Sequence, residues 1–156
     1  MPVPQLTEAV IAELKRMVGK ESEPYQVEIT KDIIRHLAEA VGDVNPLWQD
    51  GKKAEKSRHG GMIAPPALYI CNLMNAVRQR KLTLPPEGKH LDAWQEWEFY
   101  TPIRPNDVIT VTCRVADVYE RRGRKSGRMV FFVLETTFTN QRGEKVGLVR
   151  GSSVRY

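Results

Sequence analysis

From Asp92 to Tyr156 the chain reads as an almost unbroken succession of strands, and no other feature constrains its fold as strongly. "DAWQEWEFYTPI" sets Trp94, Glu96 and Glu98 against Gln95, Trp97 and Phe99, with one face carrying the bulk. "DVITVTCRVADVYE", "RMVFFVLETTFTN" and "KVGLVRGSSVRY" repeat the period-two pattern. "NQRGE" joins the last two as a turn in which Gly143 can take a positive φ. Four strands of this kind predict an antiparallel sheet that needs an apolar partner on one face.

That partner stands just before them. "PALYICNLMNAVRQRK" is apolar on most sides through Ala67, Leu68, Tyr69, Ile70, Cys71, Leu73, Met74, Ala76 and Val77, so it is expected to be a central, buried helix. Pro65 and Pro66 suit its first turn. Further upstream, Leu6, Val10, Ile11, Leu14, Met17 and Val18 recur at helical spacing behind the cap Thr7, and Gly19 ends the pattern. "YQVEIT" alternates as a strand. Thr30 then caps "KDIIRHLAEAV", predicted to bury Ile33, Ile34, Leu37 and Val41 and to stop at Gly42. Residues 43 to 65 form a long loop, or a loop with a short helix around Ala54, and a loop that long in a compact domain is usually functional. The order predicts one α+β domain over residues 1–156, a single sheet wrapped around a single helix.

Composition narrows the class. With 41% hydrophobic and 28% charged residues the balance is that of a soluble globular chain. No apolar run approaches the ~20 residues a bilayer demands, and the start lacks the charged leader of a secretory signal. Cys71 and Cys113 lie in apolar contexts, as reduced core residues do, so a cytoplasmic location without membrane attachment is expected. The net charge of +5 concentrates in "RRGRKSGR", Arg121 to Arg128. No aromatics interleave with these cations, which argues against nucleic acid. The cluster reads either as a solvated hairpin tip or as a landing site for a phosphorylated small molecule. Three scattered histidines make no metal site.

Two short patterns carry candidate chemistry. In "GDVNP" the carboxylate of Asp43 follows a helix end, where the negative pole of the helix dipole disfavours ionisation and suits general acid or base work. Asp43 and Asn45 can equally be turn formers that satisfy backbone groups. In "RHGGMIAPP" two glycines precede a helix start and can expose N–H groups able to hold an oxyanion, or can form a plain tight turn. His59, beside that turn, is the best placed histidine for a titrating partner. No nucleophile elbow is present.

Together, "GDVNPL", "HGGMIAPPALYICNLM" and the strands ending in "KSGRMVFF…TTFTNQRGEKV" resemble the MaoC-like acyl dehydratases, most closely their N-terminal, fatty-acid-synthase-type subfamily. The likeness spans nearly the whole chain. It implies a hot-dog fold, with an antiparallel sheet around a long helix and two such units paired edge to edge. It also implies reversible addition of water to an enoyl thioester of coenzyme A or of a carrier protein, with no cofactor beyond that substrate. Carried over by position, the catalytic aspartate falls on Asp43, the asparagine on Asn45, and the thioester-binding turn on Gly60, Gly61, Met62 and Ile63. The family's histidine falls on Trp48, whose indole only donates. The resemblance therefore implies one of three arrangements. The chain is the acyl-binding half of a heteromer whose partner brings the Asp/His pair, or a homodimer in which His59 serves with Asp43, or a non-catalytic thioester binder. In each, Trp48 lines the substrate site, and Arg124 and Lys125 would meet the nucleotide phosphates.

Overall fold

A computed structural model describes residues 6–74, 90–124 and 127–156. Its strands are β1 (Tyr25–Ile29), β2 (His90–Phe99), β3 (Asp107–Gly123), β4 (Gly127–Thr139) and β5 (Lys145–Arg155). They form one antiparallel sheet in the order β1-β3-β4-β5-β2. All four strands read from the C-terminal alternation are present, and "YQVEIT" adds the fifth at an edge. Along β3 the inward residues Ile109, Val111, Cys113 and Val115 are at most 3% exposed. A bulge between Val115 and Asp117 then shifts the phase, so that Val118 rather than Asp117 continues the inner face.

The helices are α1 (Glu8–Arg16), α2 (Lys31–Ala40), α3 (Pro46–Gln49), α4 (Gly51–Glu55) and α5 (Tyr69–Leu73). Thr7 and Thr30 cap α1 and α2 by accepting the N–H of Val10 at 3.3 Å and of Ile33 at 3.2 Å. Ile11, Leu14 and Met17 pack with Val118, Val130 and Phe132 over the far half of the β3–β4 ribbon. Val18 and Val41, expected inside, are instead exposed. Both lie past the last helical turn, where the chain has swung off the core, and Ala38 takes the buried place on α2.

The central helix docks on the other half of the sheet. Leu68, Tyr69 and Leu73 are buried with Ile109, Val111, Phe138, Val146 and Val149. Ile70, expected inside, faces outward, and the expected continuation through Ala76 and Val77 lies outside the described residues. α5 is π-wound, with the Met74 N–H donating to the Tyr69 carbonyl five residues back. Tyr69 seats the helix. Strand register places Phe99, Gly147 and Phe138 side by side on β2, β5 and β4, and the glycine leaves a slot between two rings. The Tyr69 ring fills the slot, edge-on to both phenylalanines at 5.2 Å, and its hydroxyl donates to the Val146 carbonyl at 2.7 Å. A Cβ on residue 147 would sit 2.6 Å from that ring. Burial, with help from the nearby Asp107 carboxylate, holds the Tyr69 phenol well above its ordinary range.

On the opposite face Glu135 receives Arg114 and Arg150, each at 2.7 Å, from the strands on either side. The second edge strand, β2, is exposed along most of its length. Trp97 packs partly against the core, as the alternation predicts, while Leu91, Trp94 and Phe99 remain 40–55% exposed.

Candidate functional site

The segment expected to carry function, residues 43 to 65, shares a core cluster with Leu68, Tyr69 and Leu73 of the central helix region through Trp48, Ala54 and Met62. α2 terminates at Gly42, whose φ of 68° favours glycine, and the Asp43 N–H returns to the Ala38 carbonyl at 2.8 Å. Asp43 is left half-buried at the head of the loop. One of its oxygens, Oδ1, accepts the Asn45 N–H at 3.0 Å. The Asn45 side chain in turn accepts the Leu47 N–H at 3.0 Å and caps α3, which starts with Pro46. The Gln49 side-chain amide closes the loop by donating to the Asp43 carbonyl. The turn-forming reading of Asp43 and Asn45 thus holds for these atoms. Among the described residues the second oxygen of Asp43, Oδ2, takes no hydrogen bond, and it is the one open to other chemistry.

α3 turns Trp48 inward. The indole is buried beside Met62, Ile63 and Ala64 in the main core cluster. Its Nε1–H has no acceptor among the described residues, a state that costs about 1–3 kcal/mol for a buried donor.

The glycine turn is built next. The Ser57 hydroxyl donates to the Ala54 carbonyl at 2.6 Å and accepts the His59 N–H at 3.2 Å, and the Gly60 N–H returns to the Ser57 carbonyl at 3.0 Å. Gly60 and Gly61, at φ 61° and 155°, then redirect the chain. Met62 and Ile63 are buried, the Ile63 N–H bonding the Leu47 carbonyl at 3.2 Å and the Ala64 N–H the Ile103 carbonyl at 2.8 Å. The first of these bonds ties the turn directly to α3. Among the described residues the N–H groups of Gly61 and Met62 have no acceptor, which leaves two adjacent donors for a carbonyl or oxyanion.

Arg104 holds this turn in place, and the sequence reading passed over it. Its guanidinium donates to the His59 carbonyl at 2.6 Å and lies 3.4 Å from the position a Gly61 Cβ would take. Its own N–H donates to Asp107 Oδ2 at 2.8 Å. Asp107 is 2% exposed and also accepts Gln141 at 3.0 Å and Arg142 at 3.3 Å. The turn is therefore referenced to the start of β3 through a buried carboxylate. The only local hint was "RPND", a cation and a turn-former pair directly before a strand.

Trp48 therefore shares a core cluster with Met62 and Ile63, and the bond between Ile63 and Leu47 joins the loop of Asp43 and Asn45 to the turn of Gly60 and Gly61. His59 is near in sequence but differently engaged. Its ring Nε2 accepts from the Arg58 side chain at 3.3 Å, and among the described residues no hydrogen bond joins it to Asp43. Arg124 is elsewhere. It follows the end of β3, and at ~3.3 Å per residue that strand runs on the order of 50 Å from Asp107 to Gly123. Arg124 is exposed there, Arg128 is already claimed by Glu8 and Glu120, and Lys125 lies outside the described residues. Among the described residues no three His, Cys, Asp or Glu side chains group as metal ligands, and no helix is long and apolar enough to cross a membrane.

Residues 16–149 match the family model for the FAS1-like, dehydratase domain region. The chain belongs to that family. As a FAS1-like dehydratase-region protein it is 30% identical over 112 residues to a UPF0336 protein of Streptomyces coelicolor, covering 69% of this chain and 74% of that one. It is 27% identical over 146 residues to a "Probable enoyl-CoA hydratase alpha subunit" of Thermomonospora curvata, covering 84% of this chain but 46% of that protein. The MaoC-like dehydratase from Rhodospirillum rubrum superposes with a TM-score of 0.74 at 22% identity, over 89% and 92% of the two chains. A chain of the ChsH1-ChsH2 complex from Mycobacterium tuberculosis superposes at 0.72 and 18% identity, over 96% and 90%. At these identities the superpositions establish the shared fold, so the FAS1-like chain is an α+β hot-dog.

Proposed function

We propose that this chain is the acyl-thioester-binding subunit of an enoyl-thioester hydratase/dehydratase, and that a second hot-dog chain supplies the Asp/His pair. One observation carries the reading. A buried indole stands at the position onto which the resemblance carries the family's imidazole, while His59 bonds the Arg58 side chain and, among the described residues, not Asp43. The free donors at Gly61 and Met62 remain suited to a thioester carbonyl, so binding is retained where proton transfer is not. The relative named as an alpha subunit and the two-protein ChsH1-ChsH2 complex give the reading further support.

The test follows the loss of enoyl-CoA absorbance with the chain alone and then with its hot-dog partner. Turnover only in the mixture, unchanged by Asp43→Asn, is expected. Turnover by the chain alone, abolished by Asp43→Asn, would replace this reading with the homodimer. Release of free thiol would indicate thioester hydrolysis instead.

A further inference from the structure

The two ends of the expected ligand are not equally accounted for. The thioester end has Gly61 and Met62, but of the two residues expected at the phosphate end the described one, Arg124, lies at the opposite end of β3 in the same chain. An open cavity of about 650 Å³ lies between α2, α3 and α4. Lys31 and Arg35 line one wall, one turn apart on the exposed face of α2, and Lys52 and Lys53 of α4 line the other. Gln49 and Pro46 form part of the lining.

The charges in this groove do not cancel. Asp50 is already committed, capping α4 through the Lys53 N–H at 3.2 Å and facing the Lys53 ammonium at 3.7 Å. Among the described residues Lys31, Arg35 and Lys52 pair with no carboxylate, and Glu55 is the one other acid in the lining. Arg114, Arg128, Arg142 and Arg150, by contrast, all sit in ion pairs. Like charges gathered around a concave surface repel one another and raise the local concentration of anions. The groove also adjoins the site. Val44 at its rim follows Asp43, and Gln49 in its lining is the residue that bonds the Asp43 carbonyl. An anion held there would be tethered to a ligand running toward Asp43 and the glycine turn.

We infer that this groove is a phosphate subsite, binding the phosphorylated end of the thioester carrier through Lys31, Arg35, Lys52 and Lys53. The inference rests on the thioester-binding reading above and locates the part of the ligand that reading leaves open. Arg35 supplies the planar fork that matches phosphate oxygens, and the lysines act as point charges.

Calorimetric titration of the full chain, alone and with its partner, separates the outcomes. The probes are adenosine 3′,5′-bisphosphate, hexanoyl-CoA and the phosphate-free hexanoyl-pantetheine. Wild type is expected to bind the first two in a salt-dependent manner. Arg35→Glu combined with Lys52→Glu, both on the exposed surface, should weaken both by roughly tenfold and leave hexanoyl-pantetheine unchanged. Equal binding of the nucleotide by wild type and the double variant, or no binding by either, overturns the subsite. Loss of nucleotide binding in Arg124→Glu instead would assign the phosphates to the hairpin tip and equally overturn it. Absence of hexanoyl-pantetheine binding by wild type, alone and with partner, would sink the thioester reading while the nucleotide arm still judges the groove.

Discussion

Trp48 is the residue on which the functional reading turns. Its buried indole has no acceptor among the described residues, and it shares a core cluster with Met62 and Ile63 of the glycine turn. Replacing it by histidine puts a titratable ring at the position onto which the resemblance carries the family's imidazole. Trp48→His is expected to confer measurable enoyl-CoA hydration on the chain alone, seen as absorbance loss that Asp43→Asn then removes. A positioned acid–base group is worth roughly 10²–10⁴ in rate, so even a poorly placed imidazole should register. Arg104 makes the complementary case. Its contact with the His59 carbonyl is charge-assisted, a class of bond worth about 1.5–3 kcal/mol. Arg104→Gln should weaken hexanoyl-pantetheine binding roughly tenfold or more and lower Tm by about 3–12 °C, both readable by calorimetry. An equal loss in Asp107→Asn would trace the effect to the buried carboxylate that holds Arg104.

Among the elements, two attachments decide how the helices sit on the sheet. The first is Tyr69 in the Gly147 slot. Gly147→Ala drives a methyl group into the ring, so overpacking of about 1–3 kcal/mol is expected. For a chain of this size that lowers Tm by about 2–4 °C per kcal/mol, readable by calorimetry. Tyr69→Phe in the same background should show whether the hydroxyl bond to Val146 is lost as well. The second attachment is α1, held to the β3–β4 ribbon by Lys15 and by Glu8 through Arg128 and Glu120. Hydrogen bonds from Arg128 and then Lys15 lower the Glu120 carboxyl from its ordinary 4.5 to about 2. A carboxyl depressed on folding stabilises the native state above its unfolded pKa, and that contribution disappears as pH falls through the folded value. Stability should therefore decline between about pH 4.5 and pH 2 in wild type, and Glu120→Gln should flatten that decline in acid titrations followed by circular dichroism.

For the whole molecule the open question is association. Among the described residues no strand pairs with the outer edge of β2, and Leu91, Trp94 and Phe99 are exposed there, which an edge strand seldom tolerates unguarded. Pairing of that edge with a second hot-dog follows from the proposed subunit role. Light scattering should give the mass of a dimer or a larger assembly, and Leu91→Lys with Trp94→Lys should shift the chain toward monomer. A wild-type chain that is monomeric with and without its partner at micromolar concentration would contradict the proposal.

Much of the fold was written locally. Period-two alternation located β1 and the four C-terminal strands, Thr7 and Thr30 marked two helix starts, and Gly42 marked a helix end. Signals of this kind survive in sequence because each depends on neighbours a few residues away. The Asp43 and glycine-turn segments were legible for the same reason, as short motifs whose backbone geometry their own residues dictate. Burial past the helix ends was not legible, since Val41 and Val18 follow the periodicity but not the path the chain takes once the helix stops. Nor was Arg104, which meets His59 across 45 residues. The cation groove is likewise absent from any one stretch, because Lys31 and Lys52 face each other only after α2 and α4 pack. The sequence by itself determined which segments would become strands and helices and which motifs they would present. Only tertiary packing decided which charges meet, which indole is sealed in and which carboxylate oxygen stays free, since those depend on distances the chain closes only when folded.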